Sequence, residues 1–217
     1  MALDCGCGSR AFQREHLVQV EIAPYDNVDV LAVNQRLPFP DDAFEAVLSF
    51  DVLEHVTNPF ECAGELSRVL KPGGVLFLSM PFLSTEHGYP HHYFNATLEG
   101  IRQLFAGRLV CEAQAVSKGG HPSATVHQML WTFYCGLPKA ARPAFSAMTV
   151  GEILEGGPFH LKDAFGPQLA ADTFRKMAQV TQGLFTKPGE GSGNLLDLEL
   201  GALPAFTPRP QGYFPKP

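Results

Sequence analysis

The sequence predicts an α/β protein with a mostly parallel sheet and helices on both faces. Three observations carry that expectation. Short apolar runs alternate with helix-period segments through the first half of the chain. One run, Ala46-Val47-Leu48-Ser49-Phe50, is nearly continuous in its apolar character, as in a strand covered on both faces. Breakers fall between the runs: Gly6 and Gly8 after the first, Pro24 after the second, Pro72-Gly73-Gly74 before the fifth. With 217 residues, 45% of them hydrophobic, the chain has enough apolar material for one domain with its own core.

Taken in order, Ala2 to Cys5 reads as a short apolar strand running into Gly6. Val18 to Ile22 alternates apolar and polar and stops before Pro24. Asp29 to Val33 is a third strand and Ala46 to Phe50 a fourth. Pro59 to Leu70 follows as a helix, with Phe60, Ala63, Leu66 and Leu70 on one stripe. Val75 to Met80 is the fifth strand. Thr97 to Phe105 reads as a helix with Thr97 as N-cap, and Leu109 to Val116 as a sixth strand. From Pro122 to Leu154 the pattern is helical, broken at Pro138 and Pro143, and Pro167 to Met177 is another helix. Ala178 to Lys187 alternates weakly, in the manner of a last strand. The expected organisation is therefore a domain over 1–187 with a helical insert at about 122–176, then a loosely ordered Pro/Gly-rich tail over 188–217.

The totals exclude several function classes. A net charge of −6 argues against a general affinity for nucleic acid or for anionic membranes. No apolar run is long enough to span a bilayer, and residues 1–10 lack the pattern of a signal peptide. The 5 cysteines are scattered, which fits reduced thiols in a cytoplasmic protein. Cys5 and Cys7 lack the second pair that a zinc site needs, so no metal is expected there.

The first segment with chemical content is Leu3-Asp4-Cys5-Gly6-Cys7-Gly8. A strand ending in Gly-x-Gly lets the backbone turn tightly and approach a ligand at the carboxyl edge of the sheet. Glu21, ending the second strand, lies beside the same crevice in a βαβ unit, where a carboxylate accepts both hydroxyls of a ribose.

In combination, LDCGCG, VEIAP, LPFPDDAFEAVLSFDVLEHV, ELSRVLKPGG and LFLSMPF resemble the class I S-adenosylmethionine-dependent methyltransferases, within the bacterial type 11 group. The resemblance covers residues 2–105. It implies a Rossmann-like seven-stranded sheet whose last strand is antiparallel, and S-adenosylmethionine as cofactor. It places Asp4, Gly6 and Gly8 along the methionine and ribose, Glu21 on the ribose hydroxyls, Asn34 and Leu37 at the adenine, and Phe50, Asp51 and Leu53 near the sulfonium methyl. Glu54-His55 continues that segment and is typical of the group; His55 by itself reads as a packing or capping residue. The chemistry agrees: a cationic sulfonium, a zwitterionic end and a flat base call for carboxylates, close backbone and an apolar wall.

Three positions depart from the pattern. Arg10 stands where a third glycine is usual, either pairing with the cofactor carboxylate or crowding the pocket. Val33 replaces an acidic residue before the adenine loop, leaving Asn34 to supply the contact. The first strand begins almost at Met1, without the helix that usually covers the cofactor from the N-terminal side; either the start is misplaced or the site is expected to be more open than usual.

The acceptor side is expected in the long aromatic loop from Pro81 to Asn95. His87, His91, His92 and Tyr93 are its candidates for acceptor binding or proton removal. His87 and His91 have a helical ligand spacing, but Gly88 and Pro90 oppose a helix, so metal binding is not expected. His121 and His127 have no partner in view, and the apolar run around Met129 to Tyr134 reads as core or as the wall of an acceptor pocket. The reading is a methyltransferase acting on a small-molecule or glycan-linked acceptor. The alternatives are an inactive Rossmann-like binding or scaffold protein, and a nicotinamide-dependent reductase, the latter opposed by the missing third glycine.

Overall fold

Five strands form one sheet: β1 (Ala2–Cys5), β2 (Leu17–Glu21), β3 (Val30–Leu31), β4 (Phe44–Phe50) and β5 (Leu70–Ser79). Their order is β3-β2-β1-β4-β5, and every pairing is parallel. These features come from a computed structural model that describes residues 1–10, 15–88, 91–116, 120–157 and 160–177, all within one unit spanning Met1–Gln179. The α/β class is as expected. The expected last strand at 178–187 and the tail at 188–217 lie outside the described residues.

Among the described residues the sheet has five strands where seven were expected. The expected sixth strand at 109–116 has no regular structure. Its alternation is real, but a strand exists only against a neighbour. Here Val110 is 82% exposed and Val116 65%, so the apolar positions gain nothing from extension.

The strands form where side chains bury. Leu3, Cys5, Val20 and Val47 are fully buried, and in register Leu3 pairs with Val18 on one side and Val47 on the other. Leu76 and Leu78 extend this face on β5. Two helices complete the core beneath it, α1 (Pro59–Val69) and α2 (Leu98–Leu104). Pro59 opens α1, and the Asn58 side chain caps it by accepting from Glu61 N–H at 3.3 Å. Its buried stripe is Pro59, Cys62, Ala63, Leu66 and Val69. The expected stripe thus holds at Ala63 and Leu66, while Phe60 is turned outward and 55% exposed. Thr97 caps α2 as expected, accepting from Gly100 N–H at 3.0 Å.

The opposite face carries Asp4, Leu48, Phe50 and Phe77, alternating with the buried set. Phe50 and Phe77 meet edge to face with centroids 5.5 Å apart, yet Val75 and Phe77 remain 64% and 66% exposed. Among the described residues, the helices that pack into the core of the sheet, α1 and α2, lie on the other face.

Beyond residue 120 the chain is helical, as expected for the insert: α3 (Pro122–Gly136), α4 (Arg142–Ala147), α5 (Val150–Glu155), α6 (His160–Phe165) and α7 (Ala171–Lys176). Pro138 separates α3 from α4 as expected, whereas Pro143 sits in the first turn of α4, where its missing N–H costs nothing. Leu137, Ala141, Phe145 and Phe165 form a second apolar cluster with Phe133 and Tyr134 at its border. Leu130 and Trp131 point away from it and are exposed; Trp131 stacks between His127 and Tyr134. His121 caps α3 through its ring, accepting from Ser123 N–H. Two bonds join this region to the loop after β5: Gln128 Nε2 to Ser84 Oγ at 3.4 Å, and Glu86 N–H to the Lys176 carbonyl at 3.2 Å.

Candidate active site

From β1 the chain adds β2 and β3 on one side, then returns to add β4 and β5 on the other. The sheet order reverses between β1 and β4, and open α/β sheets bind ligands at the carboxyl ends of such a pair. Those ends are Cys5-Gly6 and Phe50-Asp51. The two segments touch. Gly6 has φ +74°, and a Cβ there would collide with the Val52 side chain. Only glycine satisfies both conditions.

The loop after β1 is held from both sides. Gly6 N–H and Cys7 N–H both donate to the Val20 carbonyl, at 2.8 and 3.1 Å. Glu21 turns its carboxylate onto the same loop: Oε2 accepts from Gly8 N–H at 2.9 Å and Oε1 from Ile22 N–H at 2.7 Å. Asn27, which the sequence did not single out, donates to the Gly8 carbonyl at 3.0 Å.

Arg10 folds back onto this loop. Its Nη2 donates to Asp4 Oδ1 at 2.9 Å and to the Gly6 carbonyl at 3.0 Å, its Nε to the Cys7 carbonyl at 2.8 Å, and its guanidinium lies 5.5 Å from the Phe50 ring centre. Asp4 is almost fully buried; burial raises its pKa, and the Arg10 charge offsets part of that rise. Burial also pushes Cys7 up to about 11 and Cys62 to about 12, so these thiols are poor nucleophiles near neutrality.

On the adenine side, Asn34 and Leu37 are buried while Val33 is 53% exposed. Their loop is tied to α1 by a pair that sequence reasoning missed. Leu37 N–H donates to Glu65 Oε2 at 2.8 Å, and Arg68 donates to the carbonyls of Leu37 and Phe39 while pairing with Glu65 and Asp41. The hydrogen bond from Arg68 holds the Glu65 carboxyl below its usual range. The available signal was the i,i+3 opposite charge on the outer side of the helix.

The structure thus brings Asp4, Gly6, Gly8, Glu21, Phe50 and Asp51 to adjoining strand ends. Asp51 is exposed and accepts from Ser79 Oγ at 2.9 Å. Leu37 and Leu53 belong to the core beneath, at 4% and 1% exposure. A cavity of about 550 Å³ lies along the sheet face opposite α1 and shares only Asp4 and Phe50 with this set, so it is a groove on the sheet and not the crevice itself.

The acceptor-side loop docks on the 3-10 turn Leu53–His55. The Glu54 carbonyl accepts from Tyr93 N–H at 2.7 Å and from Phe94 N–H at 3.3 Å. Of the four predicted residues, His87 and His92 come together, with ring centres 4.4 Å apart. The His91 ring packs on Tyr93, at 5.6 Å, away from His87. The pair is joined by His55, whose ring lies 5.3 Å from His87 and 5.6 Å from His92. Glu54 is fully buried beside them, with Oε1 3.7 Å from His55 Nε2 and, among the described residues, no hydrogen-bond partner for either oxygen. Burial raises its pKa to about 7. The sequence flagged Glu54-His55 only as a family signature, because nothing local shows that a loop beyond β5 returns to it.

Comparison with known proteins follows the same residues. A methyltransferase domain family matches residues 3–78. An uncharacterized methyltransferase of Mycobacterium leprae is 38% identical over 146 residues, covering 60% of this chain and 49% of that protein. One of Mycobacterium tuberculosis is 37% identical over 99 residues, 43% of this chain and 34% of that protein. This chain therefore spans half or less of the length of these curated relatives. Among solved structures, the YcgJ protein from Bacillus subtilis aligns with a TM-score of 0.44 and 19% identity, over 66% of this chain and 80% of that one. The strand-end glycine loop and the carboxylate turned onto it both lie within residues 3–78, the segment over which the chain is similar to the methyltransferase domain family.

Proposed function

We propose that this chain binds S-adenosylmethionine in the β1/β4 crevice and transfers its methyl group to a small-molecule or glycan-linked acceptor. The observation that carries the reading is the Glu21 carboxylate turned onto the Gly8 amide at the point where the sheet order reverses. Each Glu21 oxygen accepts one backbone N–H and keeps a second lone pair for a ribose hydroxyl.

The other residues fit the remaining parts of the cofactor. The Asp4–Arg10 ion pair complements a zwitterionic methionine end, guanidinium toward carboxylate and carboxylate toward ammonium. Asn34 offers an amide to the adenine, and Phe50 and Asp51 flank the expected sulfonium. Bound S-adenosylmethionine supplies an already activated methyl carbon, so the protein works by positioning and by excluding water.

The acceptor falls to the loop that carries His87, His91, His92 and Tyr93. His92 Nε2 lies 2.9 Å from both the Phe94 carbonyl and Asn95 Oδ1, which fixes its N–H there in the neutral ring and leaves Nδ1 as an acceptor. That atom faces the His87 N–H and ring Nδ1, at 3.3 and 3.1 Å, and takes a proton from the acceptor, if one must be lost, by exchanging that contact.

Calorimetric titration of the full chain with S-adenosylmethionine tests the cofactor. Saturable heat with one site is expected, and no heat at millimolar ligand overturns the reading. Once a panel of acceptors, read by S-adenosylhomocysteine release, yields a substrate, His92→Ala is expected to lower turnover about 100-fold with cofactor affinity unchanged. Equal turnover removes His92 from the proton path.

A further inference from the structure

The geometry points to a divalent transition-metal site of the zinc class, formed by the Glu54 carboxylate and the imidazoles of His55 and His87. One ligand atom from each residue lies within 4.8 Å of the other two. Zinc bonds of about 2.0–2.2 Å put ligand atoms roughly 3.3 Å apart, so small side-chain rotations close the set.

Three observations separate this cluster from a chance grouping of polar residues. The first is the state of the histidines. His55 Nδ1 lies 2.7 Å from the His91 carbonyl, and His87 Nδ1 lies 2.9 Å from the Thr85 carbonyl. A carbonyl only accepts, so each neutral ring carries its proton on Nδ1 and presents a bare Nε2 lone pair. A backbone anchor on one ring nitrogen, with the other left open, is how proteins orient metal-binding histidines. The second is Glu54. It is fully buried, and among the described residues neither carboxylate oxygen has a hydrogen-bond partner. Native structures rarely leave such a group unpaired, and a cation satisfies it. The third is the packing of His55. Gly88 has φ +90°, and a Cβ built there would stand 3.0 Å from both nitrogens of the His55 ring. The loop backbone therefore presses on the ring and holds its orientation.

Two histidines with one carboxylate form a donor set that zinc uses with a further open position. Magnesium prefers oxygen ligands and is not favoured here. The ion would clamp the loop after β5 to the turn after β4, adding to the links through the Glu54 carbonyl and the His55 ring. Its binding does not depend on methyl transfer.

The test uses the full chain, stripped with a chelator and titrated with cobalt(II) alone, without S-adenosylmethionine. Visible ligand-field bands that saturate at one equivalent, are displaced by zinc and resist excess magnesium are expected. Glu54→Gln and His87→Ala are each expected to weaken cobalt binding on the order of 100-fold, while His127→Ala on α3 leaves it intact. His87 is exposed, so its variant keeps the fold by circular dichroism and decides the matter even if Glu54→Gln does not fold. Absent bands at millimolar cobalt, several weak equivalents, or undiminished binding in His87→Ala would each overturn the inference.

Discussion

Gly6→Ala is expected to raise the dissociation constant for S-adenosylmethionine at least 100-fold and to lower the melting temperature. Two costs combine. A left-handed backbone conformation costs an L-residue about 1–2 kcal/mol. Gly6 sits at φ +74°. The added Cβ also meets the Val52 side chain, an overpacking that costs about 1–3 kcal/mol. Relief of either moves the loop after β1 away from the segment after β4, and those two segments form the crevice. About 2.7 kcal/mol of that total, expressed in binding, is a 100-fold loss. Gly8→Ala supplies the contrast. It carries the backbone cost at φ +57°, but its Cβ would meet nothing within 4 Å. Calorimetry and thermal melts on both variants check the expectation: Gly8→Ala should be the milder. A Gly6→Ala protein that binds like the parent removes the crevice from consideration.

Glu21→Ala carries the second large effect. The substitution deletes the acceptors for Gly8 N–H and Ile22 N–H, and with them the partners proposed for the ribose hydroxyls. Hydrogen bonds to a charged group are worth about 1.5–3 kcal/mol each, so loss of two ribose contacts corresponds to an affinity drop of 100-fold or more. The drop should be equal for S-adenosylmethionine and S-adenosylhomocysteine, because both carry the ribose and differ only at sulfur. Glu21→Gln keeps one carbonyl oxygen and should fall between. Competition binding with both ligands reads the result. A drop confined to one of them places Glu21 elsewhere than on the sugar.

Much of the cofactor side was legible because it is local. A strand ending in Gly6-Cys7-Gly8, a carboxylate closing the next strand and an apolar run into Phe50 are each short-range patterns, and parallel pairing sets them at one edge. The cap at Thr97 was readable for the same reason. Phe60 was misplaced on α1: the buried face runs through Pro59, Cys62, Ala63, Leu66 and Val69, and Phe60 lies beside it, 55% exposed. The sixth strand failed differently: residues 109–116 have the alternation of a strand, but no partner among the described residues gives it a ladder.

The acceptor side was legible as composition and not as arrangement. Gly88 and Pro90 argued against pairing His87 with His91 by their spacing, but nothing in the sequence indicated that the fold sets His87 against His55, with Glu54 buried beside that ring. No periodicity connects the turn after β4 to the loop after β5; contacts such as the Tyr93 and Phe94 amides on the Glu54 carbonyl and the His55 ring on the His91 carbonyl do so. The Arg68–Glu65 clamp on the adenine loop was hidden likewise, its bonds reaching back 31 residues to Leu37.

By itself the sequence determined the first five strands, the turn between β1 and the following chain, and the types of residue at the strand ends, because backbone conformation and burial period are properties of neighbouring residues. Tertiary structure alone decided that Arg10 closes on Asp4, that one face of the sheet keeps exposed aromatic surface, and that a buried carboxylate meets two oriented imidazoles. Each of these is a contact between segments distant in sequence, and such contacts follow from how the elements pack rather than from the pattern within any one of them.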